Sequence, residues 1–156
     1  MDLEKHSQTI DSIINSVKEE EKYFKINFEY KLKNISGNFY KSIQESKQNY
    51  GDTLPNDYQP HLDSGFNKLS NLKSVKSFID SLLAKSKSSV TQLSNLKNDI
   101  KSHTNDNEVL EKYFFIEKNE ALNLVSIFQE LKEKCDENFE FLKTSTSKID
   151  SLNLIK

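Results

Sequence analysis

Three glycines and two prolines are the only strong turn formers in 156 residues. A β-sandwich or barrel needs a turn signal every ~8–12 residues, so an all-β fold is excluded, and a glycine-dependent nucleotide-binding α/β fold is nearly so. Long helices are what remain. Composition agrees: 35% of the residues are hydrophobic, against the ~45–50% apolar share of an average globular domain. A helix that buries only a narrow seam needs about 2/7 apolar residues, whereas a globular core helix needs about 3/7. Charged residues make up 29%, but the net charge is only −2, so the chain lacks the imbalance that keeps a polar sequence unfolded.

The apolar pattern divides into three helical segments. The first has its seam at Ile10, Ile14, Val17, Phe24, Phe28 and Ile35, with Glu21 and Lys31 as polar breaks; spacings of three and four put these residues on one face. After Ser36-Gly37 the stripe shifts to Phe39 and Ile43, which predicts a kink or stutter near Gly37. Residues 50–60 hold a glycine and both prolines and form the clearest boundary.

The second segment carries Leu72, Val75, Ile79, Leu82, Ser86, Ser89, Leu93, Leu96 and Ile100 in strict heptads, widened by Leu83 and Val90. Its two serines make a polar layer that either sets register or is merely tolerated. A turn at 103–107 follows, where Asn105 and Glu108 stand at capping-box spacing. The third segment has the most regular seam, Leu110, Phe114, Ala121, Leu124, Phe128, Leu131, Cys135, Leu142, Ile149 and Leu152, interrupted by Glu117, Asn138 and Ser145. The prediction is an all-α chain of three long helices with coiled-coil heptads, at 2–49, 61–102 and 108–152, in one elongated unit over 1–156. Each helix would be roughly 60–70 Å long, giving a rod or an antiparallel helical bundle.

Charge is uneven along the chain. Residues 1–60 carry 8 lysines against 10 acids, residues 61–103 carry 7 against 3, and residues 104–156 carry 7 against 11. A basic middle helix suits the chain's own acidic helices in a bundle, and equally suits acidic helices of partner subunits.

Catalytic signatures are missing from the sequence: there is no Walker loop, dinucleotide fingerprint, HExxH, CxxC or serine nucleophile elbow. No enzyme, cofactor, metal or small-molecule substrate is expected. His6, His61 and His103 lie near segment ends, where solvated or capping roles are usual. Cys135 sits on the seam, where a buried inert thiol is expected. All 22 basic residues are lysine, and without guanidinium groups base-edge reading is disfavoured, so no nucleic acid is expected as a partner. Lys73, Lys76, Lys85 and Lys87 would attract anionic lipid or phosphate if they formed one stripe; plain solvation is the simpler account. The start MDLEKHSQTIDS has no apolar run, and no stretch approaches the ~20 apolar residues of a membrane span. A soluble cytoplasmic protein is the expectation.

The first segment contains Glu21-Lys22-Tyr23-Phe24-Lys25-Ile26-Asn27-Phe28-Glu29-Tyr30-Lys31, and Thr53-Leu54-Pro55 follows about twenty residues later. This order resembles the Muted family, subunit 5 of the complex for biogenesis of lysosome-related organelles: a Tyr-Phe pair, a second Phe four residues on with an acid, a basic residue, and a downstream Thr-Leu-Pro. The resemblance covers mainly residues 5–60, and more weakly 104–142. Here lysine takes the place of the family's arginines, and Leu32 that of a basic residue. The resemblance implies a non-enzymatic subunit of a hetero-oligomeric complex of small coiled-coil proteins, peripheral to endosomal membranes and acting in cargo sorting and vesicle trafficking. It brings no catalytic or cofactor residues.

Interrupted seams also point to partner choice, because polar breaks specify register. The residues expected to bind partners are Tyr23, Phe24, Phe28, Ile35, Leu72, Ile79, Leu93, Phe114, Phe128 and Leu142. The alternative is a self-contained three-helix bundle of spectrin-like type, acting as a spacer or single-partner binding module.

Overall fold

Apolar residues recurring every three or four positions produce helix almost throughout. The computed structural model describes residues 3–103 and 105–155, and among them there is no strand. The first run comprises α1 (Leu3–Lys22), a π-helical turn (Tyr23–Asn27) and α2 (Phe28–Tyr50). It ends at Gly51, whose φ of 79° places it in the left-handed region. The Gly51 N–H donates to the Lys47 carbonyl at 2.7 Å, the arrangement that glycine makes inexpensive at a helix end. A 3₁₀ turn (Asn56–Tyr58) then leads into α3 (Gln59–Ser74), with Pro60 in its first turn, where a missing N–H costs no hydrogen bond.

Helix α3 gives way at Val75 to α4 (Lys76–Ser102). His103 follows at φ 53°, a left-handed stop that histidine tolerates better than most residues. Helix α5 (Asn107–Ile155) is capped by Asp106, whose Oδ1 accepts the Glu108 N–H at 3.1 Å. The cap thus falls one residue after the expected Asn105. The stripe does shift near Gly37, with Phe39 and Ile43 buried after Phe28 and Ile35, but the helix is not broken there: α2 runs on through Gly37. The irregularity lies at the π-helical turn, where one extra residue per turn re-phases the stripe before Phe28.

The chain divides into two compact units, each drawing on all three helical runs. The first, Met1–Lys25 with Phe78–Leu131, packs α1 antiparallel to α4 and parallel to the first half of α5. Asp11 pairs with Lys97 and Glu21 with Ser86, while His6 meets Phe114 and Phe24 meets Phe128. Its core includes Ile10, Val17, Leu93, Leu96, Leu110 and Phe114.

The second unit, Ile26–Ser77 with Lys132–Lys156, sets α2 antiparallel to α3 and parallel to the second half of α5. Phe39 meets Phe66 with ring centroids 5.1 Å apart, and Phe28 meets Phe139 at 5.7 Å. Gly65 makes the α2·α3 approach possible: a β-carbon there would lie 2.2 Å from Cε2 of the fully buried Phe39 ring. Each unit is a three-helix bundle, so the all-α helical prediction stands.

Candidate interaction surfaces

All ten residues expected to face partners are buried within the chain. Tyr23, Phe24, Ile79, Leu93, Phe114 and Phe128 line the first unit; Phe28, Ile35, Leu72 and Leu142 line the second. Partner contact through them would require a bundle to open. What the folded chain offers instead are polar layers, inter-helical grooves and apolar side chains outside the seams.

The polar breaks of the first unit find one another. Glu21 is only 6% exposed; its Oε1 accepts from Ser86 Oγ at 2.7 Å and its Oε2 from Lys25 Nζ at 2.8 Å. A buried carboxylate is costly without such partners, so this contact favours the register that supplies them. Ser89 Oγ is buried with no hydrogen-bond partner among the described residues. On α5, burial and then Glu120 push the Glu117 carboxyl above the usual carboxylate range, and its buried Oε2 also lacks a partner among the described residues.

In the second unit, polar groups close the end of the bundle. Tyr58 Oη donates to Asn153 Oδ1 at 2.8 Å, Ser46 Oγ donates to the same oxygen at 2.7 Å, and Asn153 Nδ2 donates to the Ser42 carbonyl at 3.1 Å. Ser42 Oγ donates to Asp150. These bonds fasten the proline-bearing turn to the end of α5. Burial is the main cause that raises the Tyr58 hydroxyl pKa, followed by the neighbouring Tyr50.

Two grooves differ sharply in lining. Between α2 and α5, about 940 Å³ is bordered mostly by polar residues, among them Asn38, Glu45, Gln48, Ser147 and Asp150. Between α1 and α4, about 530 Å³ is bordered by Lys18, Lys25 and Lys87 over Leu83, Ala84 and Val90. Lys87 was visible in sequence as one of four lysines, but these do not act together. Lys76 pairs with Glu29 at 3.1 Å, Lys73 lies over the Tyr40 ring, Lys85 borders the α4·α5 groove, and Lys87 borders the α1·α4 groove. Lys18 and Lys25 carry no such signal in sequence, because only the antiparallel packing of the first helical run on α4 brings them opposite Lys87.

Ile26 and Tyr30 are 67% and 69% exposed. They lie in the same stretch as the buried Tyr23, Phe24 and Phe28, on the part of the helix left outside the core. Val109, Tyr113 and Ile116 form a second exposed apolar strip along α5.

His6 departs from its expected solvated role. Its ring stacks on Phe114 at 4.0 Å, with Nε2 3.9 Å from Glu111. Cys135 is buried, and burial, then Asp136, pushes its thiol to about 11. Among the described residues no group of three His, Cys, Asp or Glu could hold a metal ion, and no helix is long and apolar enough to cross a membrane. No protein-family model, curated protein or solved structure matches this chain.

Proposed function

We propose that the chain is a non-enzymatic helical subunit of a hetero-oligomeric complex, resembling the one for biogenesis of lysosome-related organelles. Its partners are other small coiled-coil subunits, and its work is endosomal cargo sorting and vesicle trafficking at the membrane periphery. The observation that carries this reading is the division of labour within residues 21–31. Tyr23, Phe24 and Phe28 face the chain's own core, while Ile26 and Tyr30 stay exposed one turn apart. With about two-thirds of each side chain exposed, the packing among the described residues makes little use of their apolar bulk, whereas a partner helix would use them as anchors.

The test is tagged recovery from native cells, washed at high salt, with mass spectrometry of whatever co-purifies. Several small coiled-coil proteins in constant ratio are expected, and I26D with Y30D should release them without unfolding the chain. Recovery of the chain alone, as a stable monomer, would refute the subunit reading.

A second reading, a spectrin-like three-helix module acting as a spacer or single-partner binder, draws support from the burial of all ten seam residues within the chain. It predicts a monomer with a cooperative melt, and at most one partner in the same recovery.

A further inference from the structure

The α1·α4 groove combines three features. Its floor holds Leu83 and Val90, half-buried and seven residues apart on α4, with the small, exposed Ala84 next to Leu83. These two residues flank the buried line of Leu82, Ser86, Ser89 and Leu93, and Val90 packs in part against the core, so the groove floor is a narrow apolar edge of α4 at the margin of the core. Its rim is basic: Lys18 and Lys25 stand on one side, seven residues apart, and Lys87 stands on the other. The groove's one carboxylate, Glu21, is already held by Ser86 and Lys25. Neither Lys18 nor Lys87 has a carboxylate partner among the described residues.

We propose that this groove seats an acidic amphipathic helix of a partner protein, its apolar seam on Leu83, Ala84 and Val90 and its flanking carboxylates against Lys18 on one side and Lys87 on the other. Charge complementarity selects this occupant: the rim attracts carboxylates and repels a basic helix. The proposal rests on the reading of the chain as a partner-binding subunit and names the surface used.

The experiment titrates the full chain with two synthetic coiled-coil helices that share a leucine seam, one flanked by glutamate and the other by lysine, and follows backbone amide shifts. The glutamate helix should bind with shifts concentrated at 18–25 and 83–91. K18E with K87E, both at exposed positions, should weaken it by about tenfold and admit the lysine helix, with an unchanged helical circular dichroism spectrum. Equal affinity for the two helices, indifference to the charge reversals, or shifts centred elsewhere would overturn the proposal. So would groove-dependent binding of phosphatidylserine vesicles in place of the helix, or occupation of the groove by a second copy of this chain. Tagged recovery separates the two levels of the argument: partners recovered equally by wild type and K18E/K87E would remove the groove and leave the subunit reading intact. Absence of partners from the wild type would remove the subunit reading and, with it, the premise of the groove proposal.

Discussion

The same substitution at two helical glycines should have opposite effects. Replacing glycine by alanine inside a helix ordinarily stabilises by about 0.5–1 kcal/mol, because the unfolded chain loses conformational freedom. Gly37 lies within α2, and a β-carbon there meets nothing within 4 Å, so G37A should gain that full amount. At Gly65 the new carbon would lie 2.2 Å from Cε2 and 2.3 Å from Cζ of Phe39, where carbon contacts favour ~3.5–4.0 Å. The ring would have to retreat by more than an ångström. Phe39 is fully buried, with Phe66 edge-on at 5.1 Å and Tyr40 at 6.0 Å, so retreat displaces other side chains. Overpacking of this kind costs about 1–3 kcal/mol. An overlap this deep belongs in the upper half of that range, about 2–3 kcal/mol, and after a helix-propensity gain of about 1 kcal/mol G65A should lose about 1–2 kcal/mol. With a urea slope of ~2 kcal/mol/M, the midpoint should fall by about 0.5–1 M for G65A and rise by about 0.3–0.5 M for G37A. Helical circular dichroism against urea reads both. A midpoint that rises equally in the two variants would refute the wedging of Phe39 against Gly65 and the helix pairing derived from it.

Other outcomes follow from buried polar groups. Because burial raises the Glu117 carboxyl, the folded chain holds that proton more tightly than the unfolded chain does. Its contribution is therefore fully present below the unfolded pKa and is lost as pH rises through the higher folded value. E117Q should raise the urea midpoint at neutral pH and flatten its decline above pH ~4.3; an unchanged pH profile would contradict this. Removing the Asn153 side chain by N153A takes the acceptor at 2.8 Å from the buried Tyr58 hydroxyl, while Ser46 keeps the Ser42 carbonyl at 2.9 Å. A loss of about 1–3 kcal/mol is expected in thermal unfolding, and a neutral result would mean that the end of the bundle is not held by these bonds. With its thiol at about 11 and its side chain buried, Cys135 should react with a disulfide reagent at pH ~8 only as fast as the chain opens. Labelling that is as fast in the native chain as in urea would place the thiol outside the core.

Most of the fold was legible because a seam in a thin-cored helix is a strong periodic signal. Ile79, Leu82, Leu93, Leu96 and Ile100 lie on one face whatever packs against it, and all are buried. What escaped depended on partners distant in sequence. Phe139 is buried although strict heptads point to Asn138: Phe128, Cys135, Leu142 and Ile149 keep the seven-residue phase, and the position between Cys135 and Leu142 is filled from one residue further on. The stripe shift near Gly37 is legible in the sequence and present in the structure, where Phe39 and Ile43 are buried, but a lone glycine leaves the helix unbroken, and the π-helical turn at Tyr23–Asn27 has no sequence signal. Tyr58 lies in the turn region of the sequence, and its burial follows from the Tyr50 ring 5.8 Å away and from Asn153, ninety-five residues later. The polar breaks at Glu21 and Ser86 were visible separately, but their meeting follows from the antiparallel register of α1 and α4. Interaction surfaces were the least legible part: the sequence marks which residues are apolar, while tertiary packing decides which of them the core consumes.

The most direct test of the central claim is the stoichiometry of the tagged chain recovered from its own cells, quantified against isotope-labelled standards across a sizing gradient. The account predicts that the chain migrates with several small helical proteins in fixed whole-number ratios, and that I26D with Y30D shifts it to the monomer position while it stays folded. A wild-type chain found wholly at the monomer position, with nothing in constant ratio to it, would contradict the account.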